Sequence, residues 1–224
     1  MRNLILTFFY SSLLIPVLAQ DGILKVGFDI DDSLLYSEPM FRTAPRDQEG
    51  HLDYGWINTR DREYSEWITP TVTLVDFFIA HGHKVYFITA RKPDHGGALA
   101  AFLEEKFKIP VVVGENLFFS PKETIHGKRY TTKQRVLKML DLDLYYGDSD
   151  TDMIAALKVD VHPVRLVRDQ HSIQAYGSNY FGNLNKGNTA AAPFNQEDLK
   201  RFYRSGVGIF GEAIYPLVWE GPKP

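Results

Sequence analysis

Short apolar runs alternate with amphipathic stretches along residues 23–167. Ile23–Asp29 (ILKVGFD) is apolar and β-prone and ends abruptly in acidic residues, which predicts a buried strand. Pro70–Ala80 sets Val72, Val75, Phe78 and Ile79 on one face behind a Thr-Pro start, and Gly82 stops it, so a core-packed helix is expected. The same reading gives a strand at Lys84–Thr89, a helix at Gly97–Phe107 and further strand material at Val111–Phe119. It continues with a helix at Thr132–Leu140, a strand at Leu142–Tyr146, a helix at Thr151–Val159 and a last strand at His162–Val167. Apolar strands separated by helices predict a doubly wound, Rossmann-like α/β fold, its parallel sheet covered on both sides through right-handed crossovers.

Two stretches break this rhythm. Residues 33–69 are rich in charges, aromatics and turn residues without a sustained period, as expected of a cap insertion or long loop after the first strand. Residues 172–194 are dominated by Gly, Asn, Ser and Ala and read as an excursion, after which Gly206–Trp219 regains apolar character and is expected to pack back. At the other end, residues 1–19 carry Arg2, an apolar run and a Val17-Leu18-Ala19 exit, the pattern of a secretory signal peptide. Ser11, Ser12 and Pro16 weaken the alternative of a membrane anchor. The expected working protein is residues 20–224, periplasmic or secreted, with no membrane attachment once the leader is removed.

Composition narrows the chemistry. Hydrophobic residues make up 44% and charged residues 24% of the 224, which excludes a disordered or low-complexity chain. With 25 Lys+Arg against 28 Asp+Glu, the formal charge of −3 implies no broad basic face for a nucleic-acid polymer. The absence of cysteine removes disulfides, thiolate metal sites and thiol nucleophiles. The histidines form no zinc-ligand pattern, and no Gly-rich phosphate loop follows a strand.

Ligands of an open parallel sheet gather at the carboxyl ends of its strands. The first strand there ends in VGFDIDDS, where Asp29 and Asp31 are two apart and so face one site, and their mutual repulsion calls for a cation. The fourth ends in YYGDSDTD, with Asp148, Asp150 and Asp152 on the turn into a helix. Asp150 or Thr151 serves as helix cap in this reading, and the excess of acids points to a hard, oxygen-ligated ion, Mg²⁺. The second strand ends in FITAR, supplying Thr89 and Arg91, and Lys133 opens the helix before the fourth strand. That combination suits a polyanion. Each residue alone has a plain alternative: a satisfied strand-end hydroxyl for Thr89, a solvated helix residue for Lys133, hydrophobic packing for the cap aromatics Phe41, Tyr54 and Trp56.

FDIDDS, FITAR, TTK and YGDSDTD, in this order on alternating strands, resemble the motifs of haloacid-dehalogenase (HAD) superfamily phosphatases, and VGIFGEAI near the end adds a likeness to class B non-specific acid phosphatases of the bacterial periplasm. The resemblance implies an acid phosphatase that hydrolyses small-molecule phosphomonoesters through a phospho-aspartyl intermediate. Asp29 would be nucleophile and Asp31 general acid and base. Ser33 (where the family usually has Thr), Thr89, Arg91 and Lys133 would bind substrate, with Phe41 in the place of a pocket aromatic. Mg²⁺ would be held by Asp29, the main chain of Asp31 and Asp148, with Asp152 in support. The family's tetramer-forming segment ahead of the first strand is almost absent, so a homo-oligomer stays an open expectation. Phosphotransfer to an alcohol, a narrower 5′-nucleotidase and a non-catalytic metal- or phosphate-binding module are the competing readings.

Overall fold

Lys25–Asp29 forms the central strand β1 of a five-stranded parallel sheet in a computed structural model that describes residues 22–125, 127–167 and 194–205. The chain continues through β2 (Leu35–Tyr36), α1 (Glu38–Thr43), α2 (Tyr54–Thr59), α3 (Asp61–Tyr64) and β3 (Glu66–Trp67). Then come α4 (Thr69–Ala80), β4 (Lys84–Thr89), α5 (Gly96–Phe107), β5 (Leu117–Phe119), β6 (Lys122–Ile125) and β7 (Lys128–Thr131). The last elements are α6 (Lys133–Leu140), β8 (Leu144–Gly147), α7 (Asp150–Lys158), β9 (His162–Arg165) and α8 (Gln196–Ser205). The sheet order is β5-β4-β1-β8-β9, all parallel, as expected of a doubly wound α/β fold.

Side chains alternate across the sheet, which is why both faces need cover. Val26, Phe28, Phe87 and Tyr146 face α4 and α5, packing with Val75, Phe78, Leu99 and Leu103. Phe28 and Tyr146 stack with centroids 4.7 Å apart. Ile88 and Tyr145 face the opposite layer, with Val136 and Leu137 of α6, Met153 and Ala156 of α7, and Leu199 and Phe202 of α8. A Cβ on Gly27 would lie 2.6 Å from Leu142 Cδ1 and 3.0 Å from Tyr145 Cδ2, so a side chain there would have to displace the Leu142 side chain.

The insertion expected at 33–69 has structure of its own. Its two ends are zipped together by the antiparallel pair β2–β3 (Leu35 opposite Trp67, Tyr36 opposite Glu66), and Ile68 N donates to Leu34 O at 3.0 Å. Met40, Ala44 and Ile57 form a small separate core, with Phe41, Tyr54, Trp56 and Tyr64 packed against it. Asn58 anchors this cap to the loop after β4, its Nδ2 donating to Lys92 O (2.9 Å) and Asp94 O (2.7 Å).

Other elements depart from the sequence reading. Of the strand expected over Val111–Phe119, only Leu117–Phe119 pairs with β4. Val112 O instead accepts from the amides of Glu115, Asn116 and Leu117, a turn that Gly114 permits with φ of +89°. The hairpin β6–β7 was not expected, because its positions are largely charged or polar. Thr132 closes its base, with N and Oγ1 both donating to Pro121 O at 2.9 Å. Also unforeseen, α8 buries Leu199 and Phe202, and Phe194 joins the same layer. The leader, residues 172–193 and the tail from Gly206 lie outside the described residues.

Candidate active site

Lys133, the first residue of α6, is buried with Nζ 2.7 Å from Asp29 Oδ1 and 2.7 Å from Asp152 Oδ1. Asp29 is the last residue of β1, and Oδ1 also accepts from Ile30 N at 2.8 Å. Both bonds fall on Oδ1, which leaves Oδ2 outside the hydrogen-bond network of the described residues. Carboxylate oxygens of Asp29, Asp148 and Asp152 lie within 4.8 Å of one another, all three residues buried. One ammonium faces three carboxylates, an excess of negative charge that a divalent cation fits.

The three acids of YGDSDTD expected to serve capping and metal binding divide more finely. The cap of α7 is Ser149 rather than Asp150 or Thr151: Ser149 Oγ accepts from Asp152 N (3.2 Å), and Asp152 Oδ2 accepts from Ser149 N (3.3 Å) in a capping box. Asp152 thus has one oxygen in the box and the other on Lys133, so it orients the ammonium. A Cβ on Gly147 would come 2.6 Å from that of Asp152, which explains the glycine at the strand end. Asp150 is fully buried and pairs with equally buried Arg165 at 2.5 Å. Arg165 Nη1 also donates to Asp148 O at 2.6 Å, fixing from β9 the main chain that carries Asp148. Asp148 Oδ1 accepts from Ser33 Oγ at 3.2 Å.

A second network surrounds Asp31. Arg91 Nε lies 2.9 Å from Asp31 Oδ2, and Nη2 lies 2.6 Å from Oδ1. On its other edge Arg91 bonds Asp61 through Nη1 (2.7 Å) and Nη2 (2.9 Å), with Asn58 Oδ1 at 3.4 Å. Its five N–H donors are therefore divided among Asp31, Asp61 and Asn58. Arg91, expected on the substrate, is instead a buried bracket between the acid of the first motif and the cap. Thr89 Oγ1 donates to Asp31 Oδ2 at 3.4 Å and accepts from Arg91 N at 3.1 Å. Phe41 lies beside the bracket, its ring centroid 5.7 Å from Arg91 Cζ and 6.4 Å from that of Tyr54.

Burial pushes the Asp29 carboxyl well above the usual carboxylate range; Lys133 pulls it back, and Asp152 and Asp148 add to the rise. Burial also opposes ionisation of Asp152, but the charge and hydrogen bond of Lys133 and the two donors of Ser149 outweigh it and hold it low. The asymmetry follows the donors, since among the described residues Asp29 receives only Lys133 and one amide. Burial works against the Lys133 ammonium as well, and Asp152 with Asp29 keeps it well above the ordinary lysine value.

The structure brings Asp29, Asp148, Lys133 and Ser33 into one connected cluster, and Asp31, Thr89, Arg91 and Phe41 into a neighbouring one. Sequence reasoning missed Asp61, Asn58 and Arg165. TRDREY and HPVRLV carry no periodic or motif signal that sets a buried ion pair apart from a solvated charge.

A parallel α/β sheet with acids at two strand ends and a buried lysine between them defines a HAD-type site. The chain matches the family described as HAD superfamily, subfamily IIIB (Acid phosphatase), over residues 8–181, and it belongs to that family. It is similar to the class B acid phosphatase of Xenorhabdus bovienii, 29% identical over 157 residues. The class B acid phosphatases of Morganella morganii (28% over 160 residues) and Salmonella typhimurium (27% over 157 residues) are similar to it as well. Each match covers 66% of this chain and 65% of the relative, so the chain spans just under two thirds of the length of these proteins.

Proposed function

We propose that this protein is a metal-dependent acid phosphatase that hydrolyses small-molecule phosphomonoesters through a phospho-aspartyl intermediate on Asp29. The observation that carries the reading is Lys133 Nζ, 2.7 Å from both Asp29 and Asp152, beside a cluster of three carboxylates. Phosphoryl transfer needs positioning and charge neutralisation above all, and a buried ammonium next to a carboxylate nucleophile supplies both. Mg²⁺ is the proposed ion, held by Asp29, Asp148 and the main-chain carbonyl of Asp31, and when bound it would screen the phosphate from the carboxylates.

In the first step Asp29 Oδ2 attacks phosphorus, the bond to the leaving oxygen breaks, and Asp31 gives that oxygen a proton. Water then attacks the phospho-aspartate, Asp31 takes the proton, and phosphate and the Asp29 carboxylate are regenerated. Arg91 holds the Asp31 carboxylate in place, Lys133 and Thr89 steady the phosphoryl oxygens, and Ser33 orients Asp148. Capture of the phosphoryl group by an alcohol in place of water would give phosphotransfer from the same intermediate. The leader pattern supports a periplasmic or secreted protein, and among the described residues no helix is long and apolar enough to cross a membrane.

Hydrolysis of an aryl phosphate by the purified protein, with and without chelator and beside Asp29→Asn, tests this reading. Loss of turnover in the variant and on chelation is expected. Undiminished turnover of Asp29→Asn contradicts the covalent route, and indifference to chelator removes the metal.

A further inference from the structure

Asp61, the first residue of α3 in the cap, is a buried carboxylate that the proposed reaction does not use. Its Oδ2 accepts from Arg91 Nη1 at 2.7 Å and its Oδ1 from Arg91 Nη2 at 2.9 Å, while Arg91 grips Asp31 with its other edge. The side chains of Arg91 and Asp61 are 0% and 2% exposed, whereas that of Asp31 is 17% exposed. These three charged groups thus form an enclosed chain whose open end is Asp31, so Asp61 reaches a substrate only through Arg91 and Asp31. Asp61 is itself held: Ser65 Oγ donates to its Oδ1 at 2.9 Å, and Ser65 N donates to Asp61 O at 2.9 Å.

Charge balance does not account for this arrangement. Asp31 alone matches the Arg91 charge, and a second buried carboxylate leaves the trio with a net negative charge, which costs free energy in an enclosed place. Burial opposes the Arg91 cation, and the charges of Asp31 and then Asp61 outweigh it and hold the pKa above the ordinary arginine value. What Asp61 adds is direction. Arginine has a long flexible stem, and a planar guanidinium pinned on two edges by carboxylates from two segments keeps one orientation. Without Asp61, Nη1 retains only Asn58 Oδ1 at 3.4 Å. The other side-chain donor to Asp31 among the described residues, Thr89 Oγ1, is also 3.4 Å away, too long to hold the carboxylate by itself.

We infer that Asp61 is a positioning residue for proton delivery to the leaving group: by fixing the plane of Arg91 it aims Asp31 at the ester oxygen, and so lets the enzyme hydrolyse esters of weakly acidic alcohols as well as those of acidic phenols. An activated phenolate departs without a proton and an alkoxide does not, so a misaimed acid is felt most with the alkyl ester. The inference rests on the phosphatase reading with Asp31 as the acid, and adds to it a cap residue that sets the range of leaving groups.

The test compares kcat/KM for dinitrophenyl, nitrophenyl, phenyl and benzyl phosphates, which share one ring and are graded in leaving-group acidity, in wild type, Asp61→Asn and Ser65→Ala at saturating Mg²⁺. This parameter reports the steps up to cleavage of the ester bond, so hydrolysis of the phospho-aspartate, common to every ester, does not mask the effect. Asp61→Asn is expected to lose about 10²-fold with benzyl phosphate and to stay within about threefold of wild type with dinitrophenyl phosphate. Ser65→Ala keeps every charge and loosens Asp61 by one hydrogen bond, so a loss of about fivefold with the benzyl ester and within about twofold with the dinitrophenyl ester is expected. A merely structural role lowers all the esters by one common factor, and that result in Asp61→Asn overturns the inference. Where Asp61→Asn does not fold, Ser65→Ala decides: a steeper leaving-group dependence supports the inference, and an unchanged or uniform kcat/KM overturns it. A wild type already as steep as the variants also overturns it, since no proton is then being delivered. A wild type that hydrolyses none of these esters overturns the phosphatase reading itself, and the inference with it.

Discussion

Lys133 Nζ and Asp152 Oδ1 are 2.7 Å apart in a buried pair that joins the start of α6 to the capping box of α7. Asp152 thereby converts a helix-capping motif into a support for the site. The Asp152→Asn substitution should cost about 2–3 kcal/mol of stability through the lost charge-assisted bond and weakened cap. It should also lower kcat more than it raises KM. Urea unfolding and steady-state kinetics check both, and a variant with wild-type kcat removes Asp152 from the support of Lys133.

Arg165 is expected to matter though it lies far along the chain from the first motif. Replacing it with Met removes the buried ion pair with Asp150 and the bond to the Asp148 carbonyl, a loss of about 3–5 kcal/mol. The double substitution Arg165→Met, Asp150→Leu should lose less than the sum of the two single changes, because the charge penalty is removed with its partner. Additive losses in denaturant unfolding would mean the pair is not coupled.

Arg91 is a bracket for Asp31, so its shape counts beyond its charge. Arg91→Lys keeps the cation and loses the two-pronged grip on Asp31 and Asp61. A drop in kcat of about 10²-fold with little change in KM is expected from a displaced acid. A rise in KM at constant kcat would return Arg91 to substrate binding.

How much of this was written in the sequence differs from part to part. The sheet and its main helices were legible because apolar periodicity survives in KVYFIT and in the α4 face, and the four acid, hydroxyl and lysine motifs stand at strand or helix ends. The turn within Val111–Phe119 was hidden, since Gly114 and Asn116 interrupt an apolar run whose first half bends away from the sheet. The β6–β7 hairpin was hidden for the opposite reason: KETI and KRYT offer little apolar signal, and backbone pairing holds them. Arg91 reads as a cation at a strand end. Only the fold reveals that Asp61, thirty residues earlier in the cap, claims its other edge.

Metal binding is expected to appear in stability as well as in turnover. Mg²⁺ at about a hundredfold its dissociation constant should stabilise the protein by about 2.7 kcal/mol, a rise in Tm of roughly 5–10 °C. Asp148→Asn should abolish the rise. The metal-free variant should melt no lower than metal-free wild type, because one of three crowded carboxylates is gone. A full Mg²⁺ shift in the variant would exclude Asp148 as a ligand.

The central claim is that Asp29 carries the phosphoryl group, and rapid acid quenching of the protein mixed with excess phosphomonoester tests it most directly. The account predicts one phosphoryl group per chain, located by peptide mass mapping on Asp29 and absent from Asp29→Asn. Steady hydrolysis with no phosphorylated chain at any quench time, or with the label on another residue, would contradict it.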